Sequence, residues 1–281
     1  MRIGIDARFF GNTGGIARYV QQLILSLEQI DHVNEYVIFL RRENWDSYVP
    51  KNPRFSKYLA DVPWYGFGEQ IFMPMYIKRA QVDLMHFSHW NIPWLYNKPF
   101  VVTIHDLILL HYPSFRATTH SKFIYAFKQW IFYHVLNHAV KNSLHILAPS
   151  EYTKKDIQKT LKISPEKITV TYEGVNMLSM SQPEKEADFL NKYGIQKPYL
   201  LYVGVAYPHK NLEWLIRSVS NYNKKYSTNL HLVLTGANNY FYERIKNEFK
   251  ELIDNHALVL TGFVPDSSLG ILFKNASAYI F

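Results

Sequence analysis

The run Leu200-Leu201-Tyr202-Val203 is apolar, rich in β-formers, and stops at Gly204. A short loop, Val205 to Asn211, follows, and from Leu212 the apolar residues resume at helical spacing through Trp214, Leu215 and Ile216. A strand that turns at a glycine into a helix belongs to a parallel sheet with helical crossovers. Such a unit aims its loop backbone and the positive helix end at one point, which suits an anion such as a diphosphate. Lys210 adds a mobile point charge there, Pro208 restricts the loop, and Asn211 stands where a helix N-cap is wanted. An ordinary strand–helix turn with a solvated lysine fits the same residues.

The pattern recurs along the first half. Arg2–Asp6 reads as a strand, Phe9–Gly15 as a glycine loop, and Ile16–Leu27 as a helix. Gly14 and Gly15 let a ligand approach the backbone closely, or simply permit a tight turn. The loop is not G-x-G-x-x-G, and no acidic residue closes the next strand, Tyr36–Leu40, as a dinucleotide site would want. Further strands are expected at Val82–Phe87, Phe100–Ile104, Leu144–Ser150 and Ile168–Tyr172. This spacing predicts a doubly wound parallel sheet, with ligand loops at the carboxyl strand ends.

His105 and Asp106 stand at one such end. An imidazole there exchanges hydrogen bonds with a sugar hydroxyl, with Asp106 orienting it, although a histidine at a strand end is as readily structural. His86 and His89 are three apart at another end without a carboxylate cluster, which argues against a metal site. The chain contains no Asp-x-Asp pair for a metal-bound diphosphate. Thr118–Asn142 reads as a long helix in which Phe123, Phe127, Trp130, Ile131, His134, Val135 and His138 recur at three and four. It packs half-buried on its own sheet or, being aromatic and basic, lies on a membrane face.

Composition narrows the classes. With no cysteine among 281 residues, disulfide and thiolate chemistry are excluded. The net charge of +8 is uneven: residues 1–180 hold 20 basic against 14 acidic side chains, and the remainder 11 against 9. A basic first half favours an anionic partner such as a membrane surface or a phospholipid-linked substrate. No nucleic-acid motif is present. There is no signal-peptide core and no apolar run long enough to span a bilayer, so a cytoplasmic protein, peripheral at the inner membrane face, is expected.

Leu178–Lys197 is polar, and 179–197 is expected as a linker between a first domain, 1–178, and a second, 198–281. The second domain continues with strands at His231–Gly236 and Leu258–Val264, helices at Tyr242–Asn255 and Ser267–Asn275, and a strand from Ala278. Its far sheet face is expected to lack covering helices, which points to a piece of a longer protein.

Seven motifs fall in the order of one family: Gly14-Gly15-Ile16-Ala17-Arg18-Tyr19; Glu69-Gln70 with Met73-Pro74; Thr103-Ile104-His105-Asp106-Leu107; Pro149-Ser150-Glu151-Tyr152-Thr153; Tyr172-Glu173-Gly174-Val175; Tyr202-Val203-Gly204 with Pro208-His209-Lys210-Asn211-Leu212; and Thr261-Gly262-Phe263-Val264. Over its whole length the chain resembles the retaining GT-B glycosyltransferases of the "glycosyl transferases group 1" family. The resemblance implies two Rossmann-like domains facing across a cleft, the second incomplete here, and transfer of a sugar from a UDP- or GDP-linked donor to a saccharide or lipid-linked acceptor in surface polysaccharide synthesis. No cofactor or metal is implied. His105 and Asp106 are the implied catalytic pair. Gly14, Gly15, Gly204, His209, Lys210, Asn211, Gly236 and Val264 are the implied donor contacts, with Val264 packing on the base. His89, Asn91, Ser150 and Glu173 are the implied acceptor contacts.

Two departures stand out. Val205 occupies the place where many members carry arginine after the diphosphate-loop glycine, and the family's Glu-x7-Glu motif lies beyond the strand at Ala278–Phe281. Little or no transferase activity is therefore expected of this chain alone. A nucleotide-sugar epimerase with a similar cleft and a non-catalytic binding fragment are the alternatives.

Overall fold

A computed structural model of the chain describes residues 1–11, 14–113, 122–174 and 186–281, with only the backbone of 122, 123 and 125. Parts of the expected glycine loop (12–13), helix start (118–121) and linker (179–185), and position 175, lie outside the described residues. The chain divides into two compact units, Met1–Gly174 and Val175–Phe281.

In the first unit the elements run β1 (Arg2–Asp6), α1 (Gly15–Ile30), β2 (Glu35–Leu40), β3 (Phe55–Leu59), α2 (Phe67–Ala80), β4 (Leu84–Phe87), β5 (Phe100–Thr103), α3 (Ile108–His111), α4 (Lys122–Asn142), β6 (His145–Ala148), α5 (Glu151–Leu161) and β7 (Ile168–Val170). Among the described residues seven strands form one sheet in the order β3-β2-β1-β4-β5-β6-β7, with every pairing parallel. The order reverses beside β1, so the β1 and β4 exits open apart and leave room at the carboxyl edge.

Successive side chains of a strand point to opposite faces. On β2, Val37 and Phe39 join a core with Met73, Ile77 and Leu136, while Tyr36, Ile38 and Leu40 join one with Val20 and Ile24 of α1. A sheet buried on both faces therefore reads as continuous apolar runs. β3 escapes that signal because it is an edge strand, and its Ser56 and Lys57 break the run.

The second unit runs α6 (Glu186–Lys192), β8 (Tyr199–Val203), α7 (Leu212–Tyr226), β9 (His231–Thr235), α8 (Tyr240–Glu248), α9 (Lys250–Asp254), β10 (Leu258–Gly262), α10 (Asp266–Asn275) and β11 (Ala278–Tyr279). Its described strands form a parallel sheet in the order β10-β9-β8-β11.

Three expectations change. The stretch 186–197 is folded rather than linking: Phe189, Leu190 and Ile195 are buried against Tyr199 and Leu201. Polar composition concealed these few anchors. With Leu269, Ile271 and Leu272 of α10 they cover the sheet face that was expected to be bare. The helix expected over Tyr242–Asn255 is two helices, broken at Phe249 (φ −115°, ψ 32°), whose ring is buried. Among the described residues no helix is long and apolar enough to cross a membrane.

Candidate functional site

At the first unit's carboxyl edge, side chains are tied to one another. Arg8, fully buried just past β1, forms a fork on Asp6, with Nε donating to Oδ1 at 2.8 Å and Nη2 to Oδ2 at 2.7 Å. Nη2 also donates to Glu69 Oε1 at 2.6 Å. Burial by itself lowers the guanidinium's pKa, but the two carboxylates outweigh it and hold the charge firmly. Glu69 additionally accepts from Asn91 Nδ2 and from the Tyr65 N–H. One buried network thus clamps the β1 exit, the start of α2 and the loop after β4. Asn91, expected to touch an acceptor, spends its amide on this clamp.

His105 lies just beyond β5. Its Nε2 donates to the Ser88 carbonyl at 3.0 Å, which fixes the ring and leaves Nδ1 facing Glu173 Oε1 at 3.7 Å. The nearby His105 ring, opposed by partial burial, holds the Glu173 carboxyl below its usual range. Tyr19 of α1 packs edge-on against the imidazole, with centroids 4.7 Å apart. Its hydroxyl shares a hydrogen bond with Thr103, which also bonds His86 Nε2. Thr153 donates to the His105 carbonyl at 3.3 Å. Burial, reinforced by His105, depresses His86 to about 4 and His89 to about 3. Both are neutral at physiological pH, and the His89 ring is walled by Phe9, Tyr65 and Trp90.

The expected orienting partner is thereby exchanged. Asp106 Oδ1 accepts the Ile108 N–H at 2.9 Å and so holds the start of α3, while the carboxylate facing His105 is Glu173, 68 positions along the chain. Ser150 caps α5, accepting the Thr153 N–H at 3.1 Å and donating to Thr153 Oγ1. Gly14 (φ 117°) and Gly15 open α1 with no side-chain cap and no acid in the first turn; a Cβ added at either meets nothing within 4 Å. The first backbone N–H groups of α1 are therefore approachable by an anion.

The second unit's edge is made of backbone. Neighbouring strands leave through Gly262, Gly236 and Gly204. Gly204 N–H donates to Thr235 O, and Gly236 N–H to Gly262 O. A Cβ on Gly236 would stand 2.1 Å from Gly204 O, so only glycine fits there. Two phenols pin the loop beyond β8: Tyr242 donates to Gly204 O at 2.8 Å and Tyr202 to Val205 O at 2.9 Å. Burial pushes the Tyr202 hydroxyl up to about 12.

Lys210 ends a single 3-10 turn, Pro208–Lys210, with its Nζ 4.1 Å above the Phe281 ring at the exit of β11. His209 is exposed and stacks on Tyr207 at 5.7 Å. Asn211 adopts the left-handed conformation (φ 52°, ψ 41°) and makes no side-chain cap, contrary to its expected role; Asn tolerates that geometry and turns the chain into α7. Val264 is buried in the core, so its side chain offers no platform for a base, whereas neighbouring Phe263 is 60% exposed.

Sequence reasoning named the glycines, Lys210 and His105 as candidates. It did not name Asp6, Arg8 or Tyr242, and it quoted Glu69, Tyr19 and Tyr202 without a role. The visible signals were an arginine two residues after a strand-end aspartate, and a tyrosine closing a β-run.

Known proteins resemble this chain in sequence and in fold. The sequence pattern of Glycosyltransferase Family 4 matches residues 13–177, and that of Glycosyl transferases group 1 matches residues 185–281. The O-antigen chain mannosyltransferase RfbU of Salmonella typhimurium is 25% identical over 234 residues, covering 83% of this chain and 59% of that protein. Thus the chain spans about three-fifths of the curated relative's length. Among solved structures, sucrose-phosphate synthase from Thermosynechococcus elongatus superposes with a TM-score of 0.71 at 16% identity, covering 99% of this chain and 74% of that one. HepE of Anabaena, solved in complex with UDP and glucose, gives a TM-score of 0.66 at 14% identity, covering 99% and 73%. At these identities the structural likeness is one of fold.

Proposed function

The chain belongs to Glycosyltransferase Family 4 and carries the GT-B type of fold, with two Rossmann-like parallel-sheet units; from that premise we propose that it moves a sugar from a UDP- or GDP-linked donor to a saccharide or lipid-linked acceptor in cell-surface polysaccharide synthesis. The observation that carries this reading is the row of glycine exits beside Lys210. Gly262 has open space where a side chain would stand, which lets a diphosphate approach, and a cation stands at the same carboxyl edge. When the glycosidic bond breaks, the leaving nucleoside diphosphate gains negative charge, and a preorganised ammonium with backbone N–H groups stabilises it. In this proposal no metal ion is needed for that charge.

His105 serves the sugar. Its ring is fixed through the Nε2–H bond to the Ser88 carbonyl, so Nδ1 is the nitrogen that accepts a hydrogen bond from a sugar hydroxyl, with the Glu173 carboxylate beside it. We assign retention of configuration: the acceptor oxygen attacks the anomeric carbon on the face the diphosphate leaves, and the departing phosphate takes the acceptor's proton. The similarity to RfbU, named a mannosyltransferase, supports including GDP-mannose among the donors tested.

Calorimetric titration with UDP and GDP tests the reading. Binding of one nucleotide is expected, and Lys210→Ala should weaken it about ten- to a hundredfold, as loss of a charge-assisted contact does. No binding of either at millimolar nucleotide would overturn the proposal. Turnover with a donor panel in the presence of EDTA, with the product anomer read by NMR, tests metal independence and retention.

A further inference from the structure

One residue of the first unit is held in a backbone conformation that its side chain disfavours. Tyr65, between β3 and α2, has φ 60°. The left-handed region is uncommon for any residue but glycine and an outlier for a bulky one. The strain is held in place by a hydrogen bond, the Tyr65 N–H donating to Glu69 Oε2 at 2.9 Å. Glu69 is fully buried and locked by Arg8 and Asn91, so the clamp at the carboxyl edge also sets this turn.

What the strained turn achieves is the position of a ring. Tyr65 is 62% exposed, so core packing does not demand the conformation. Its ring lies 5.7 Å from Trp90 and 6.5 Å from His89, both on the loop after β4. His89 in turn meets Phe9, on the loop after β1, at 5.7 Å, and Phe9 stacks on Trp64 at 4.2 Å. Trp90 is braced by Phe132 of α4, edge-on at 4.6 Å. Loops from β1, β3 and β4 thus gather these rings where the strand order reverses, the place where a parallel sheet leaves room for a ligand. Strained residues concentrate at such ligand clamps.

The charges bonded into this cluster select the ligand class. The clamp that carries Tyr65 holds Arg8 against two carboxylates, Asp6 and Glu69. Arg41, 5.0 Å from the Trp64 ring, is paired with Glu43. Two guanidinium groups against three carboxylates leave one negative charge, and burial keeps His89 neutral at physiological pH. That balance repels an anion, including the phosphates of a nucleotide. Aromatic faces without a surplus cation suit the C–H face of an uncharged sugar ring, whose hydroxyls stay at its rim.

We propose that Tyr65 is the stacking platform for a neutral sugar ring of the acceptor, with Trp90 and His89 as the wall beside it. This rests on the transferase reading, which supplies the acceptor, while the binding test needs no donor.

Titration of the full chain with methyl mannoside, glucoside and galactoside, and with the uronate of each, followed by saturation-transfer NMR, tests it. At least one hexoside should bind in about the millimolar range, and more tightly than its uronate. Tyr65→Asn removes the ring but keeps a residue that tolerates the left-handed turn, and Tyr65→Gly removes the strain as well. Both should weaken hexoside binding about tenfold, and Tyr65→Phe should stay within about twofold of the parent. Melting temperatures of both ringless variants should be no lower than the parent's, and their affinity for UDP or GDP unchanged. Parent-like hexoside binding by the ringless variants, no hexoside binding at about 0.1 M ligand, or uronates bound as well as their hexosides would overturn the inference and leave the donor reading standing. Lost binding together with a lowered melting temperature in both variants would make Tyr65 a structural residue and overturn it too. Hexoside binding that depends on Tyr65 in a chain that binds neither nucleotide would support the platform and overturn the donor reading.

Discussion

Both units present the carboxyl ends of parallel strands, but they furnish that edge in opposite ways. In the first unit, side chains occupy it. Arg8 and Asn91 bond Glu69, Thr103 bonds His86 and Tyr19, and His105 bonds the Ser88 carbonyl, so each loop is held by charged or aromatic partners from distant strands. In the second unit the edge is stripped to glycine and held by backbone hydrogen bonds and two tyrosine hydroxyls from beneath. A prebuilt polar network fixes the geometry of functional side chains, but its members are already bonded. The Gly204 and Gly236 N–H groups of the glycine edge are also bonded, to Thr235 O and Gly262 O, and of the three exits only Gly262 has open space where a side chain would stand.

This contrast predicts where each unit breaks. The largest effect belongs to the first unit's clamp. Glu69→Ala leaves Arg8 buried with one carboxylate and strands the Asn91 amide, and should cost about 3–5 kcal/mol in urea unfolding. A loss below about 1 kcal/mol would show that the network is not what holds the loops.

Acid comes next. His86 and His89 are depressed to about 4 and about 3 by burial, whereas an unfolded imidazole titrates near about 6.5. The unfolded chain therefore binds protons first, and the first unit should lose about 3 kcal/mol for each histidine as pH falls from about 6.5 to about 4. Urea midpoints at neutral and mildly acid pH measure this loss. His86→Gln should flatten the slope.

Gly236→Ala attacks the other edge. Its methyl meets Gly204 O, and about 2 kcal/mol should be lost from the second unit, with nucleotide binding weakened in step. Unchanged UDP affinity in a folded variant would separate the glycine exits from the donor site. The smallest effect is Glu173→Gln. This carboxylate is half-exposed, so only a few tenths of a kcal/mol are expected. Its depressed pKa means the contribution is present at neutral pH and disappears as pH falls through the folded-state value. Where a donor turns over, the pH profile of that turnover should move more than stability does, because Glu173 faces Nδ1 of His105.

How much of this was legible follows from what each element buries. Strands covered on both faces, such as Val37–Leu40 and Leu200–Val203, announce themselves as apolar runs, and the glycines after them mark the turns. The edge strand Phe55–Leu59 and the helix Glu186–Lys192 bury only a few residues each, so their composition looks like loop. Gly204 and Lys210 share one loop and were found together, because a strand–turn–helix unit is local. Glu173 was named as an acceptor contact, and not as the partner of His105. Asp106, adjacent in sequence, looked like the partner, yet its carboxylate is taken by the Ile108 N–H two residues on.

The chain's own order of residues determined the parallel α/β architecture, the glycine turns and the cation at one of them, since hydrophobic period and turn chemistry act over a few residues. Only the folded sheet decided which carboxylate faces His105, why Arg8 carries its charge in the core, and which side of the aromatic helix meets water. Those depend on side chains tens of residues apart in sequence that the parallel strands bring to a common edge, and hydrogen bonds and burial act over ångströms in space whatever the separation along the chain.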